Sequence, residues 1–222
     1  MSGQITICMT MGLRPDYLEQ TIESLGPQMR LLPIVAINDF GDDPTNRMFD
    51  RLCPHGRRID LGGRVGHHAA VDAMYEAVDT PYIFHIEDDW HFARTDFLPE
   101  AIALLDSDPT MTSVCVRELD DMPIEPQRAA RVTYEEVGGV SYALMTRVHM
   151  RWYGFTFNPH VIRRSTWQDL GGYSRFGKEK DISRHMRAAG RHVGYLEDGG
   201  CRHIGAEHSI ARKSNPLLAA QA

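Results

Sequence analysis

Three consecutive carboxylates, Glu87-Asp88-Asp89, stand directly after the apolar run Tyr82-Ile83-Phe84-His85-Ile86. Adjacent carboxylates repel, so folding them together is costly unless a cation offsets their charge. A hard divalent metal that also takes phosphate oxygens is the natural counter-ion. Open α/β sheets gather ligands at the carboxyl ends of their strands, and that position favours a metal site over an exposed acidic turn. A second acidic cluster, Glu179-Lys180-Asp181, opens a helix just after the glycine-containing stretch Gly171 to Gly177. A carboxylate there suits a cap on the helix N-terminus, and it also suits a general base facing a site. A third group is Cys201-Arg202-His203-Ile204-Gly205, whose His203 is one of eleven histidines and on its own reads as a hydrogen-bonded side chain. Of the tryptophans, Trp90 is best placed to stack on a ligand, being next to the acidic triplet. Trp152 and Trp167 read as core.

These groups need strands and helices to hold them. Ile5 to Thr10 is a β-branched strand, and Pro15 sits where a helix can begin at no cost in hydrogen bonding. Leu18, Ile22 and Leu25 follow at helical spacing until Gly26-Pro27. Strands are expected at Pro33 to Asn38, Arg58 to Leu61, Tyr82 to Ile86 and Ser113 to Val116. Helices are expected at Arg47 to Leu52, Gly66 to Val78 and Phe97 to Leu105. This β-α alternation with continuous apolar strands implies a mainly parallel sheet covered on both faces. The second half is less regular. Asp120 to Arg131 reads as a loop, and Val132 to Thr146 and Arg151 to Arg163 contain strand-like pieces. Ser165 caps a short helix ending at Gly171-Gly172, Glu179 to Ala189 is a clearer helix, and His192 to Leu196 is a last strand.

The chain of 222 residues, 42% hydrophobic and 24% charged, is long enough for one large α/β domain with a buried core. No apolar run approaches the ~20 residues that span a bilayer, so no membrane insertion is expected. The N-terminus shows no basic stretch followed by an apolar one, so a cytoplasmic location is expected. Cys8, Cys53, Cys115 and Cys201 show no C-x-x-C spacing, and Cys8 and Cys115 read as buried reduced thiols. A formal net charge of −6 counts against a general nucleic-acid binder. Arg163, Arg164, Arg175, Lys178, Lys180, Arg184 and Arg187 nevertheless leave room for a local basic patch. No G-x-G-x-x-G follows the first strand and no G-x-x-x-x-G-K-[ST] is present, which removes the dinucleotide and P-loop readings.

In order along the chain, these residues carry a resemblance. Ile5-Thr6-Ile7 through Thr10, then Arg14-Pro15-Asp16-Tyr17-Leu18 and Thr21-Ile22-Glu23-Ser24-Leu25, resembles the opening of family-2 nucleotide-sugar glycosyltransferases of the GT-A fold. Val35-Ala36-Ile37-Asn38-Asp39 resembles their second strand, and Gly66 to Glu76 the helix before their metal-binding strand. Ile86-Glu87-Asp88-Asp89 is similar to their D-x-D motif. Gly171-Gly172-Tyr173 with Glu179-Lys180-Asp181-Ile182 resembles the segment that supplies the base, and His203 sits where many place a late metal-binding histidine.

The resemblance implies a single GT-A-type domain over residues 1–222. Residues 1–117 form the nucleotide-sugar-binding half, and 118–222 a smaller, mixed β-rich half for acceptor and catalysis. It implies that Asp89 and His203 hold Mn²⁺ or Mg²⁺, assisted by Glu87 or Asp88 against the donor diphosphate, an imidazole tilting the choice toward Mn²⁺. Thr10, Arg14 and Asp39 would contact the nucleoside, with Arg64 near the base or phosphates. Glu179, or failing that Asp181, would deprotonate the acceptor, and Trp90 would stack on it. Inversion by single displacement is implied. The acceptor stays open among a glycan, a lipid-linked sugar, a protein, a metabolite and a modified DNA base. An inactive nucleotide-sugar-binding protein and a nucleotidyltransferase are the alternatives.

Overall fold

A computed structural model describes residues 3–205; the end of the expected second half, residues 206–222, lies outside them. The first strand, β1 (Ile5–Met11), leads into α1 (Pro15–Ser24) and the single turn α2 (Gly26–Met29). Then follow β2 (Ile34–Asn38), α3 (Asp43–Leu52), β3 (Arg57–Ile59), α4 (His67–Glu76) and β4 (Tyr82–Glu87). A short strand β5 (Trp90–Phe92) precedes α5 (Leu98–Ser107) and β6 (Met111–Cys115). The second half holds α6 (Pro126–Ala129), β7 (Thr133–Val137), β8 (Val140–Leu144), β9 (His160–Arg163), α7 (Arg164–Asp169), α8 (Glu179–Ala188), β10 (His192–Leu196) and β11 (Cys201–His203).

Nine strands form one sheet in the order β3-β2-β1-β4-β9-β6-β10-β8-β7. The four strands β3, β2, β1 and β4 are parallel, as are β6 and β10, while β9 runs antiparallel between β4 and β6. The β7–β8 hairpin closes the far edge. Both faces are covered, which is why the inner strands read as continuous apolar runs. Ile5, Ile7, Met9 and Met11 of β1 pack with Leu18 and Ile22 of α1 and Leu104 of α5 on one face. Cys8 of the same strand packs with Val71 and Met74 of α4 and Ile182 of α8 on the other. All four cysteines are free and buried. No helix among the described residues is long and apolar enough to cross a membrane.

Several local expectations are corrected. Helix α3 starts earlier than Arg47, because the Asp42 carboxylate caps it by accepting from the Thr45 amide at 3.1 Å. The expected loop 120–131 contains a 3₁₀ turn, Leu119–Asp121, and α6, where Pro126 occupies the first turn. Ser165 lies inside α7, whose cap residue is Arg163. Within 151–163 only β9 is a strand. Strands β5 and β11 are too short to leave a periodic signal, and they form a separate two-stranded sheet.

That small sheet is anchored by side chains of α1. The Trp90 amide donates to Thr21 Oγ1 and the Phe92 amide to Ser24 Oγ, both at 3.0 Å. The other edge of β5 pairs with β11 so that His203 stands opposite Trp90. Three of the basic residues of the C-terminal third bind the chain itself. Arg163 donates to the carbonyls of Met111 and Asp108, Arg187 to that of Thr146 and Arg175 to that of Leu170.

Candidate active site

Strands β1, β2 and β4 are parallel neighbours and end together, with Thr10 in register with both Ile37 and Glu87. Because β9 runs the other way, its leading neighbour Asn158 reaches the same edge, as does Arg117 beyond β6. A cleft of about 510 Å³ opens there. It is lined by Thr10, Arg14, Asp39 and Arg64 from one side, Glu87 to Trp90 from the floor, and Glu179 and His203 from the other. Asp181 is not among the lining residues. It lies two positions along α8 from Glu179, on a different face, 3.9 Å from Arg184.

Asp88 and Asp89 are buried, at 1% and 5% exposure, and one guanidinium bridges them. Arg14 Nη1 donates to Asp89 Oδ2 at 2.5 Å and Nη2 donates to Asp88 Oδ1. Asp88 Oδ2 accepts from the Gly12 amide at 2.8 Å, while His203 Nε2 lies 2.9 Å from Asp89 Oδ2. Burial pushes the Asp88 carboxyl up to about 7 even against the pull of Arg14. Burial works the same way on Asp89, but His203 and Arg14 together outweigh it and hold that carboxyl below its usual range. The backbone fits tightly around both groups. A Cβ at Gly205 would run into the Asp89 carboxylate, and one at Gly12 into the Phe40 ring.

Glu179 is the first residue of α8, and its Oε1 accepts from the Phe157 amide at 3.0 Å. Burial raises its pKa above the usual glutamate value, with the Phe157 amide opposing. Glu87 is also raised, by burial first and then by the charges of Asp89 and Glu179. The cleft therefore holds carboxyls of opposite tendency, Asp89 kept ionised and Glu87 and Glu179 poised toward protonation.

Asp39 accepts from the amides of Val65 at 2.7 Å and Gly66 at 3.0 Å, so it fixes the loop that carries Arg64. Arg64 in turn lies over the Phe40 ring at 4.5 Å. Trp90 lines the cleft but is packed into it. It is 1% exposed, with His203 4.9 Å and the Arg117 guanidinium 5.1 Å from its ring. Its indole N–H points to Glu87 Oε2 at 3.3 Å, which holds the ring in the floor of the cleft.

Sequence reasoning missed His67, Phe40, Arg117 and Asn158. Phe40 adjoins Asp39 and His67 opens α4, so their neighbours carried a signal. Arg117 and Asn158 come from irregular segments that gave none. His67 is held neutral, its pKa lowered to about 4 by burial and by neighbouring His68.

A sequence model described as glycosyl transferase family 2 matches residues 6–189. The chain belongs to glycosyl transferase family 2. Among solved structures, the chain is similar to the mannosyltransferase PcManGT from Pyrobaculum calidifontis, described in complex with GDP-Man and Mn²⁺. The TM-score is 0.67 at 14% identity, covering 93% of this chain and 58% of that one. It is also similar to S. aureus TarS residues 1–349, with a TM-score of 0.65 at 11% identity, covering 92% of this chain and 61% of that one. The chain thus spans about three fifths of these relatives' length, and at such identities the likeness shows the fold. No curated protein matches the chain.

The donor set suits a divalent cation only in part. Among the described residues no three His, Cys, Asp or Glu side chains form a closed cage. Asp89 and His203 do meet, presenting one carboxylate oxygen and one imidazole nitrogen. Mg²⁺-like sites are commonly held by one or two protein groups, with substrate phosphates and water completing the shell, so the pair fits a metal that arrives with a diphosphate.

Proposed function

We propose that this glycosyltransferase moves a sugar from a nucleoside-diphosphate sugar to an acceptor hydroxyl, with Mn²⁺ or Mg²⁺ at Asp89 and His203. The observation that carries this reading is the convergence of the Asp89–His203 pair and the buried Glu179 on one cleft at the strand ends. The similarity to a mannosyltransferase described with GDP-Man and Mn²⁺ favours the same donor class and cation. A divalent cation there would stabilise the charge that builds on the departing diphosphate.

The chain's own groups do the rest. Thr10, at the tip of β1, and Asp39 receive the nucleoside; the Asp39 carboxylate has lone pairs beyond those used by Val65 and Gly66. Arg64 and Arg14 face the diphosphate. Glu179 takes the proton from the acceptor hydroxyl as its oxygen bonds to the anomeric carbon and the bond to the diphosphate breaks. Attack from the side opposite the leaving group gives inversion in one displacement. Burial raises the pKa of Glu179, which makes its carboxylate a stronger base than an exposed glutamate.

A thermal-shift screen of nucleoside diphosphates and their sugars, with and without Mn²⁺, tests the reading, since a ligand that binds the native state raises its melting point. One nucleotide should give a Mn²⁺-dependent rise that Asp89→Ala abolishes. No rise with any nucleotide would favour a protein that keeps the fold without activity. A rise unchanged in Asp89→Ala would move the metal elsewhere.

A further inference from the structure

The oxygen of Asp89 that faces His203 is already in use. Asp89 Oδ2 lies 2.5 Å from Arg14 Nη1 and 2.9 Å from His203 Nε2, while the other guanidinium nitrogen holds Asp88. One cation of the chain thus bridges two buried carboxylates at the place where a divalent cation would bind. The grip on that guanidinium is one-sided. Arg14 Nε is buried without a hydrogen-bond partner, and the head group is held only through its two terminal nitrogens. The backbone of Arg14 is fixed, since its carbonyl accepts the first bond of α1 from the Leu18 amide at 3.0 Å. Only the side chain can move, and it lies on the wall of the donor cleft at 15% exposure.

We infer that Arg14 is the resident counter-ion of this site and exchanges with the metal. Without metal, Arg14 pairs with Asp88 and Asp89. When metal and donor arrive, Arg14 leaves Asp89 and its planar fork turns to the diphosphate, which it fits bidentately. This inference rests on the metal reading proposed above. It gives Arg14 a role beyond donor contact: it offsets part of the charge of the acidic floor without metal, and it opposes metal loading until a diphosphate is present to receive the guanidinium.

The test is Mn²⁺ binding without nucleotide, read by electron paramagnetic resonance of free Mn²⁺, on wild type, Arg14→Gln, Arg14→Lys and Arg117→Gln. Circular dichroism and melting point in EDTA establish that each variant is folded. Arg14→Gln should bind Mn²⁺ at least about tenfold tighter than wild type, because the competing charge-assisted bonds are gone. Arg14→Lys keeps the charge but cannot bridge both carboxylates, and should lie between them. Arg117→Gln removes a charge from the same cleft without touching Asp88 or Asp89, and should change little. Equal or weaker binding by Arg14→Gln would overturn the exchange while leaving the metal reading intact. So would equal tightening by Arg117→Gln, which would reduce the effect to the general field of the cleft. Absence of Mn²⁺ binding in every variant, together with full transfer in EDTA, would remove the metal reading and this inference with it.

Discussion

At the scale of single residues, Glu179 and Asp181 compete for one role, and their surroundings separate them. Glu179 lines the cleft, while Asp181 pairs with Arg184 along the helix. A base works only when ionised, and burial raises the pKa of Glu179. Transfer should therefore rise with pH through a value above that of an ordinary glutamate, and the acid limb of kcat/KM measures it. Glu179→Gln should lower kcat by about 10²–10⁴-fold, the usual contribution of a positioned base. Donor binding, followed by thermal shift, should persist. Asp181→Asn should stay near wild type; loss of kcat there instead would exchange the two assignments.

At the scale of elements, the turn that precedes Glu179 hangs on a carboxylate of α4. Asp72 Oδ1 accepts from Trp167 Nε1 and from the Tyr173 amide, both at 2.7 Å, and Oδ2 accepts from the Ser174 amide at 2.8 Å. The turn passes so close that a Cβ on Gly172, where φ is +81°, would sit 2.9 Å from Asp72 Oδ2. Asp72→Asn would set an amide group against these N–H donors and cost about 1–3 kcal/mol, the price of unsatisfied buried groups. Its melting point should fall, and kcat should fall more than the donor KM rises, because the β1–β2–β4 side of the cleft is untouched. A donor KM that worsens as much as kcat would mean that Asp72 supports the whole cleft. Gly172→Ala should repeat the loss of stability.

Across the whole molecule, the sheet carries histidines at its centre. His85 and His160 stand opposite each other on β4 and β9, fully buried, with rings 5.1 Å apart and nearly parallel. Neither ring nitrogen of His85 has a partner, and burial, with His160 and His67 nearby, holds its pKa well below 6.5. The unfolded chain takes a proton near 6.5 that the native state refuses. Stability from this residue is complete above that pH and falls as pH drops, by up to about 1.4 kcal/mol per pH unit. Asp88, Glu87 and Glu179, raised in the fold, act in the opposite sense, so the histidine effect is read as a difference between proteins sharing those groups. His85→Leu should gain melting temperature relative to wild type as pH goes from 8 to 5, followed by calorimetry. A constant difference would mean that His85 titrates alike in both states.

Much of this arrangement was written locally. The apolar strands, the helix after Pro15 and the acidic triplet at the end of β4 are properties of short windows. A parallel α/β sheet sends such strand ends to one edge whatever the loops do, so the edge of the cleft formed by Thr10, Asp39 and Glu87 to Asp89 was legible before any fold was known. The remainder depends on contacts that no window contains. His203 reaches Asp89 across 114 positions because the three-residue strands β5 and β11 pair, and strands that short have no periodicity to betray them. Glu179 enters the cleft and Asp181 does not because α8 presents one face, set by its packing on the sheet through Ile182 and Met186. Trp90 turned inward because its ring met His203 and Arg117, both from distant segments. The sequence by itself determined the strands and the acidic floor, which follow from period and local composition, and its ordered motifs carried the family; tertiary structure decided how His203, Asp89 and Arg14 come within hydrogen-bond reach, because the segments that hold them are far apart in the chain.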